Sequence, residues 1–234
     1  MRADFAVPVS VAERDEHWDT ILDLSAMLDD GSWVLVGGDA VTAHVLAHDS
    51  DPELVCHTAD RAGRLVTTAG AMPAAVLALR DLGFVPVNAR DAPEFCFSRP
   101  AEDRRSAHET WTVHVCGVTA LRGGDQALRR RVPRRASRGA RTPDVPVPGL
   151  VGALVYEAAQ FARNTTEPFV HARNAALLAS LIDNPVAVRE ELTPGDRRLL
   201  RSLDAAAGLR AHHIWGRLPL ERDAFTRWKL LLAV

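Results

Sequence analysis

Two stretches decide the fold of this chain: Ser32-Trp-Val-Leu-Val-Gly-Gly-Asp-Ala-Val-Thr-Ala-His44 and, further along, His57-Thr-Ala-Asp60-Arg-Ala62. The apolar run Trp33-Val-Leu-Val36 suits a strand that is buried on both faces. Gly37 and Gly38 allow a tight turn and a close approach of the backbone to a ligand, and they open a helix whose N–H groups point outward. The pattern therefore predicts a strand, a glycine turn, a helix and a second strand.

The segments on either side predict a mixed sheet followed by helices. Apolar positions at helical spacing indicate a helix over residues 10–29, and Asp30-Gly31 ends it. The other predicted helices and strands are helix 39–47, strand 54–58, helix 71–82, strands 84–88, 94–98 and 110–115, and helices 150–163, 171–182, 185–192, 197–207 and 222–234. The expected fold class is α/β (α+β), with an α/β domain over residues 1–121, a connector or hairpin over 122–149 and a helical domain over 150–234.

This layout resembles the nucleotidyltransferase fold, and specifically the AbiEii-type nucleotidyltransferase-like proteins of bacterial toxin–antitoxin systems. The resemblance covers roughly residues 15–232. It implies a site where two metal ions are held by three carboxylates, two on one strand and one on its neighbour. The family's Thr-x-Asp-x-Asp pattern aligns with Thr58-Ala-Asp60-Arg-Ala62, so the second aspartate is an alanine. The third carboxylate aligns with His114.

The resemblance continues into the C-terminal half, where the ionic residues also differ. The family's helix that presents a lysine to the nucleotide phosphates aligns with Leu150–Ala159, and the lysine position holds Glu157. A helix in which an acid follows arginine aligns with His171-Ala-Arg-Asn174, so the acid is Asn174. One carboxylate with a histidine does not form a two-metal clamp, and a glutamate repels phosphate. We therefore expect no metal and no other cofactor, with magnesium required only if nucleotidyl transfer is retained.

The polar groups that this alignment places at the cleft are the candidate site residues. Asp60, His114 and Glu157 are the candidate catalytic residues, since a pair of His114 with either carboxylate would supply acid–base catalysis near neutral pH. The candidate ligand-binding residues are Gly37, Gly38, Asp39, His44 and Asn174.

Each polar candidate also has a structural interpretation. Asp39 is suited to cap the helix after the glycine turn, and His44 and His114 to be hydrogen-bonded core histidines. Asp60 fits a turn, and Glu157 fits an ion pair with an arginine such as Arg163 or Arg173.

Three functions remain open at this point. The first is a nucleotidyltransferase-fold protein that has lost two-metal transfer and uses the cleft between its domains to bind a small molecule or for metal-independent acid–base chemistry. The second is an active nucleotidyltransferase of a toxin–antitoxin system, with an antitoxin-like partner. The third is a non-catalytic interaction protein.

Composition limits the partners. The 234 residues carry a net charge of −2, with 28 Lys and Arg against 30 Asp and Glu, so no global basic surface attracts nucleic acid. The arginine-rich run 129–141 is either a basic arm or a solvated hairpin or linker. Three cysteines without CxxC spacing fit a reducing compartment. With no signal-peptide pattern and no apolar run of about 18 residues, we expect a cytoplasmic protein that makes no membrane contact.

Overall fold

The computed structural model describes residues 4–7, 12–48, 62–87, 94–99, 111–118, 122–164, 167–209, 213–215, 218 and 223–233. Over these residues the chain is mixed α/β with helices at the C-terminus, which confirms the expected fold class. The elements in chain order are β1 (Phe5–Ala6), α1 (Ala12–Met27), β2 (Trp33–Val36), α2 (Gly38–Ala47), β3 (Ala62–Thr67), α3 (Met72–Asp81), β4 (Val85–Val87), β5 (Glu94–Arg99), β6 (Trp111–Gly117), α4 (Gly124–Arg129), β7 (Arg131–Ser137), β8 (Asp144–Pro148), α5 (Leu150–Phe161), α6 (Pro168–Ser180), α7 (Pro185–Glu191), α8 (Pro194–Ala207) and α9 (Ala224–Leu232).

Five strands form the larger sheet, in the order β2-β3-β6-β5-β4. The β3–β6 pair is parallel and the other pairs are antiparallel, so the sheet is mixed as the sequence predicts. The smaller sheet has the order β1-β7-β8, and its β7–β8 hairpin occupies the segment predicted as a connector or hairpin.

The two faces of the larger sheet pack against different helices. Leu35, Leu65 and Val115 point to the face covered by α1, α2 and α3, where they join one apolar core. Val66 and Cys116 point to the opposite face, where they pack with α4 and with the Tyr156 ring of α5. Since side chains alternate along a strand, Val113 and Val115 of β6 lie on one face and Cys116 lies on the other.

The C-terminal helices share a second core with α2. Val41 and Val45 of α2 belong to this core, whereas Ala40 and Ala43 of the same helix belong to the core of the sheet. The helix therefore lies between the two halves of the molecule. Trp228 of α9 is fully buried in the helical core, as expected for a terminal amphipathic helix that packs inward.

Some predicted elements differ from the structure. The predicted strand 54–58 lies outside the described residues. Strand β3 (Ala62–Thr67) was not predicted, because Gly63 and Arg64 interrupt its apolar pattern. Helix α4 (Gly124–Arg129) was missed as well, since six residues are too few for a helical period to show. Among the described residues, no helix is both long and apolar enough to cross a membrane.

Candidate functional site

The glycine turn after β2 borders open space. Gly37 has φ 75° and ψ −150°, a conformation that glycine adopts far more readily than other residues. No atom of the described residues lies within 4 Å of the position that a Cβ of Gly37 would occupy. Gly37 is the N-cap of α2 and Gly38 is its first residue. The turn has room for a ligand to approach the backbone, and binding by Gly37 and Gly38 stays a prediction.

Asp39 lies in the first turn of α2 and pairs with a histidine of α1. Its Oδ1 lies 2.5 Å from Nε2 of His17, and both side chains are about nine-tenths buried. The second oxygen, Oδ2, is buried without a hydrogen-bond partner. The helix-cap interpretation of Asp39 is wrong, because Gly37 occupies the N-cap and no side chain caps the helix there. The pair connects α1 to α2 beside the glycine turn.

His44 is fully buried, and both of its ring nitrogens have partners. Nε2–H donates to the carbonyl oxygen of Pro148 at 2.7 Å, and Nδ1 lies 3.4 Å from Nη2 of Arg134. Burial and the charge of Arg134 lower the pKa of His44 to about 3, so the ring is neutral at physiological pH. These contacts favour the structural interpretation of His44 over ligand binding.

His114 lies in a polar row that crosses the sheet. Its register partners are Arg64 on β3 and Cys96 on β5, so the three side chains share one face. Nε2 of His114 lies 4.0 Å from Sγ of Cys96, and all three residues are partly exposed. The row places a guanidinium, an imidazole and a thiol at the position where the resemblance implies a third carboxylate.

Tyr156 connects this face of the sheet to the helical half. Its ring packs against Val66 and Cys116, and its hydroxyl is fully buried. Burial raises the pKa of Tyr156, and the nearby Arg64 guanidinium opposes that shift. The charge of Glu157, the next residue on α5, also raises the pKa of Tyr156. The charges of Arg64 and Glu157 therefore both act on one hydroxyl.

Glu157 is the centre of a buried polar cluster between α5 and α6. Its Oε2 lies 2.8 Å from Nδ1 of His171 and accepts a hydrogen bond from Nδ2 of Asn174 at 3.3 Å. Nε2 of His171 lies 3.3 Å from Nδ2 of Asn164. Because Nδ2 of Asn164 can only donate, these contacts fit a neutral imidazole with its proton on Nδ1. We call Glu157, His171 and Asn174, with Asn164, the α5–α6 cluster.

Two oxygens of the α5–α6 cluster lack donors. Oε1 of Glu157 and Oδ1 of Asn174 are buried and have no hydrogen-bond partner in the described part of the chain, and both residues are 1% exposed. Asn164 is partly exposed and is the outermost member of the cluster. Buried polar atoms are nearly always satisfied, so two orphaned acceptors in one cluster require an explanation.

The structure changes the partners that the sequence suggested for Glu157. Its side chain bonds to His171 and Asn174, so the expected pairing with His114 and the alternative pairing with Arg163 or Arg173 are both wrong. Asn174 and Glu157, both candidate site residues, are in direct contact. Asp60, the remaining candidate, lies outside the described residues. Within the described part of the chain, no group of three His, Cys, Asp or Glu residues could hold a metal ion.

The arginines of the β7–β8 hairpin are engaged with acidic side chains. Arg138 lies 3.1 Å from Oδ1 of Asp19, and Arg141 lies 2.5 Å from Oδ1 of Asp23. Arg135 pairs with Asp144 on the neighbouring strand. This charge balance agrees with the hairpin interpretation of residues 129–141 rather than with a basic arm for nucleic acid.

Sequence reasoning missed three residues of these constellations: His17, Arg64 and His171. His171 had a usable signal, because His171 and Asn174 are spaced i and i+3 and share one face of a helix. The pairing of that face with Glu157 depends on how α5 packs on α6, which no local pattern gives. Arg64 was missed for the same reason. Its position beside His114 and Cys96 follows from the pairing register of β3, β6 and β5, which no local pattern gives.

Comparison with known proteins does not assign the chain. No protein-family model matches the sequence, and a search of the curated proteins finds no match.

Proposed function

We propose that this chain is a nucleotidyltransferase-like protein, related to the AbiEii type, that has lost two-metal nucleotidyl transfer and binds a small molecule instead. The observation that carries the proposal is the row Arg64–His114–Cys96 on neighbouring strands. Magnesium prefers oxygen ligands, and a fixed guanidinium repels cations. A face of this composition does not hold the two-metal clamp.

The α5–α6 cluster supports ligand binding as the remaining role. Glu157 stands where the family's lysine would meet phosphate, and its negative charge disfavours a nucleotide triphosphate. A carboxylate with an oxygen that no protein group satisfies is more readily explained as part of a binding site than as part of a core. The proposal includes a cytoplasmic location, in keeping with three cysteines that show no CxxC spacing.

Thermal melting of the purified protein tests this proposal. We expect no magnesium-dependent stabilisation by any of the ribonucleoside triphosphates, and stabilisation by at least one member of a library of small organic molecules. A ligand at 100 times its dissociation constant adds about 2.7 kcal/mol, which shifts the melting temperature measurably. The wild-type protein is compared with Asp60→Asn, and Asp30→Asn, an exposed aspartate, is the matched control.

Two results would overturn the proposal. A magnesium-dependent shift with a nucleotide, lost in Asp60→Asn and kept in Asp30→Asn, would restore the alternative of an active nucleotidyltransferase with an antitoxin-like partner. Failure of every library compound to stabilise the protein would favour the non-catalytic interaction protein.

A second function, metal-independent acid–base catalysis, is favoured by the hydrogen bond between Glu157 and His171. The carboxylate fixes the proton on Nδ1 and leaves Nε2 as the basic atom, held by the amide of Asn164. The sequence suggested a different dyad, His114 with either Asp60 or Glu157. Turnover of a library ligand that survives chelators and is abolished in His171→Gln would support catalysis, and unchanged turnover in that variant would refute it.

A further inference from the structure

The donors of the α5–α6 cluster all converge on one atom. His171 through Nδ1–H and Asn174 through Nδ2 both point to Oε2 of Glu157. Among the described residues, no group donates to Oε1 of Glu157 or to Oδ1 of Asn174, although each residue is only 1% exposed. The described donors therefore bind one oxygen of the Glu157 carboxylate, Oε2. Oε1 of Glu157 and Oδ1 of Asn174 stay available as acceptors for a ligand.

Reorienting the amide does not remove this shortage of donors. If the amide of Asn174 were rotated by half a turn, its oxygen would face Oε2 of Glu157, and two acceptors would meet. The observed orientation is the one in which Asn174 donates to the carboxylate. Oδ1 of Asn174 is consequently held as an acceptor, together with Oε1 of Glu157.

The charge of the cluster indicates the kind of group that fits. The α5–α6 cluster holds one carboxylate, that of Glu157, in a buried environment, and it has no lysine or arginine among its members. A buried charge is stable only when it is paired and hydrogen-bonded. A cation with N–H groups supplies both the missing charge and the missing donors, whereas a phosphate or carboxylate supplies neither.

We propose that Oε1 of Glu157 and Oδ1 of Asn174 bind the cationic nitrogen group of a small organic ligand, a protonated amine or a guanidinium. This inference rests on the proposed function, because it names the class of molecule that the site takes. The ligand's nitrogen donates to the two orphaned oxygens, while Oε2 stays bonded to His171.

The test uses three probes of equal chain length: n-butylamine, n-butylguanidine and, as the neutral control, n-butanol. Their binding is measured by ligand-observed NMR at neutral pH and about 10 mM, because fragments of this size bind weakly. We expect the two cations to bind the wild-type protein and the alcohol not to bind. Affinity should fall on the order of tenfold or more in Glu157→Gln, which removes the charge and keeps the shape.

Two further variants make the test specific. Asn174→Leu should weaken both cations, and it supplies the answer if Glu157→Gln does not fold. Glu190→Gln makes the same chemical change at an exposed glutamate of α7 and should leave binding unchanged. A crystal of the protein soaked with n-butylamine should show its nitrogen at Oε1 of Glu157.

Each contrary result has a distinct meaning. Equal binding of amine and alcohol, or cation binding that is unchanged in Glu157→Gln and Asn174→Leu, overturns the inference. So does a soaked crystal in which only a water lies at the two oxygens. If a library compound nevertheless stabilises the protein, the proposed function survives this failure; if no compound of any class binds, both fail.

Discussion

His44 and His171 are both buried histidines whose ring nitrogens lie at similar distances from an oxygen, 2.7 Å from Pro148 and 2.8 Å from Glu157. Their surroundings differ in one respect. The contacts of His44 end in a backbone carbonyl and a guanidinium, so both ring nitrogens and the carbonyl have partners. Nδ1 of His171 meets the carboxylate of Glu157, and Nε2 meets the amide of Asn164. Among the described residues, the buried atom left without a partner beside His44 is a donor, Nε of Arg134, whereas beside His171 it is an acceptor, Oε1 of Glu157. An open acceptor can receive the N–H of a ligand, which favours a site at His171 and a structural role for His44.

The largest expected effect comes from removing His171. In His171→Leu, the buried carboxylate of Glu157 keeps only the amide of Asn174 at 3.3 Å, and we expect a loss of about 3–4 kcal/mol in the free energy of unfolding. Urea denaturation followed by circular dichroism measures this loss. The triple variant Glu157→Leu/His171→Leu/Asn174→Leu should recover to within about 1 kcal/mol of the wild type, since all three buried polar partners are gone.

A loss below about 1 kcal/mol in His171→Leu would show that Glu157 is not held as a buried charge. The contrast between the two histidines would then disappear.

His44→Leu should lose about 2–3 kcal/mol by the same measurement, because the buried carbonyl of Pro148 is left without a donor. Here no second substitution restores stability, since the partner is a backbone group. His48→Leu, at the C-cap of the same helix and partly exposed, is the control and should cost about 1 kcal/mol or less. Rescue of His44→Leu by a substitution at Arg134 alone would contradict this picture.

The pH dependence of stability isolates His44 further. The unfolded chain protonates His44 below its ordinary pKa of 6.5, whereas the folded chain does so only near a pKa of about 3. Acidification therefore favours the unfolded state. The contribution of neutral His44 to the free energy of unfolding is complete well above pH 6.5, and it is lost as the pH falls towards the folded-state pKa of about 3. We expect the slope from this group to rise from about 0.7 kcal/mol per pH unit at pH 6.5 to about 1.3 kcal/mol per pH unit at pH 5.

Unfolding free energies at several pH values in that window, for the wild type and His44→Leu, measure the slope. The other histidines contribute equally to both proteins, so the difference belongs to His44. Parallel curves for the two proteins would mean that the ring takes up its proton equally in both states.

The sequence predicted the sheet and the order of helices because those depend on local periodicity and turn residues. The Gly37 turn and the strand over 110–115 each follow from a few adjacent residues, and each is present in the structure. The site depends on contacts between elements. Glu157 and Asn174 were selected by resemblance, but the bond to His171 arises from the packing of α5 on α6, and no spacing along the chain encodes it.

The smallest expected change in the free energy of unfolding comes from Asn174→Leu, and its sign distinguishes a binding role of Asn174 from a structural one. In Asn174→Leu, an unsatisfied buried oxygen is removed and one hydrogen bond of 3.3 Å is lost, so we expect stability to stay equal or to rise by up to about 1 kcal/mol. Gln160→Leu is the control on α5, because Gln160 is equally buried but donates to the carbonyl of Arg122 at 3.1 Å. Removing that satisfied amide should cost about 1 kcal/mol. Opposite signs for the two substitutions would show that Asn174 is kept for binding at the expense of stability, and an equal loss in both would make Asn174 an ordinary member of the core.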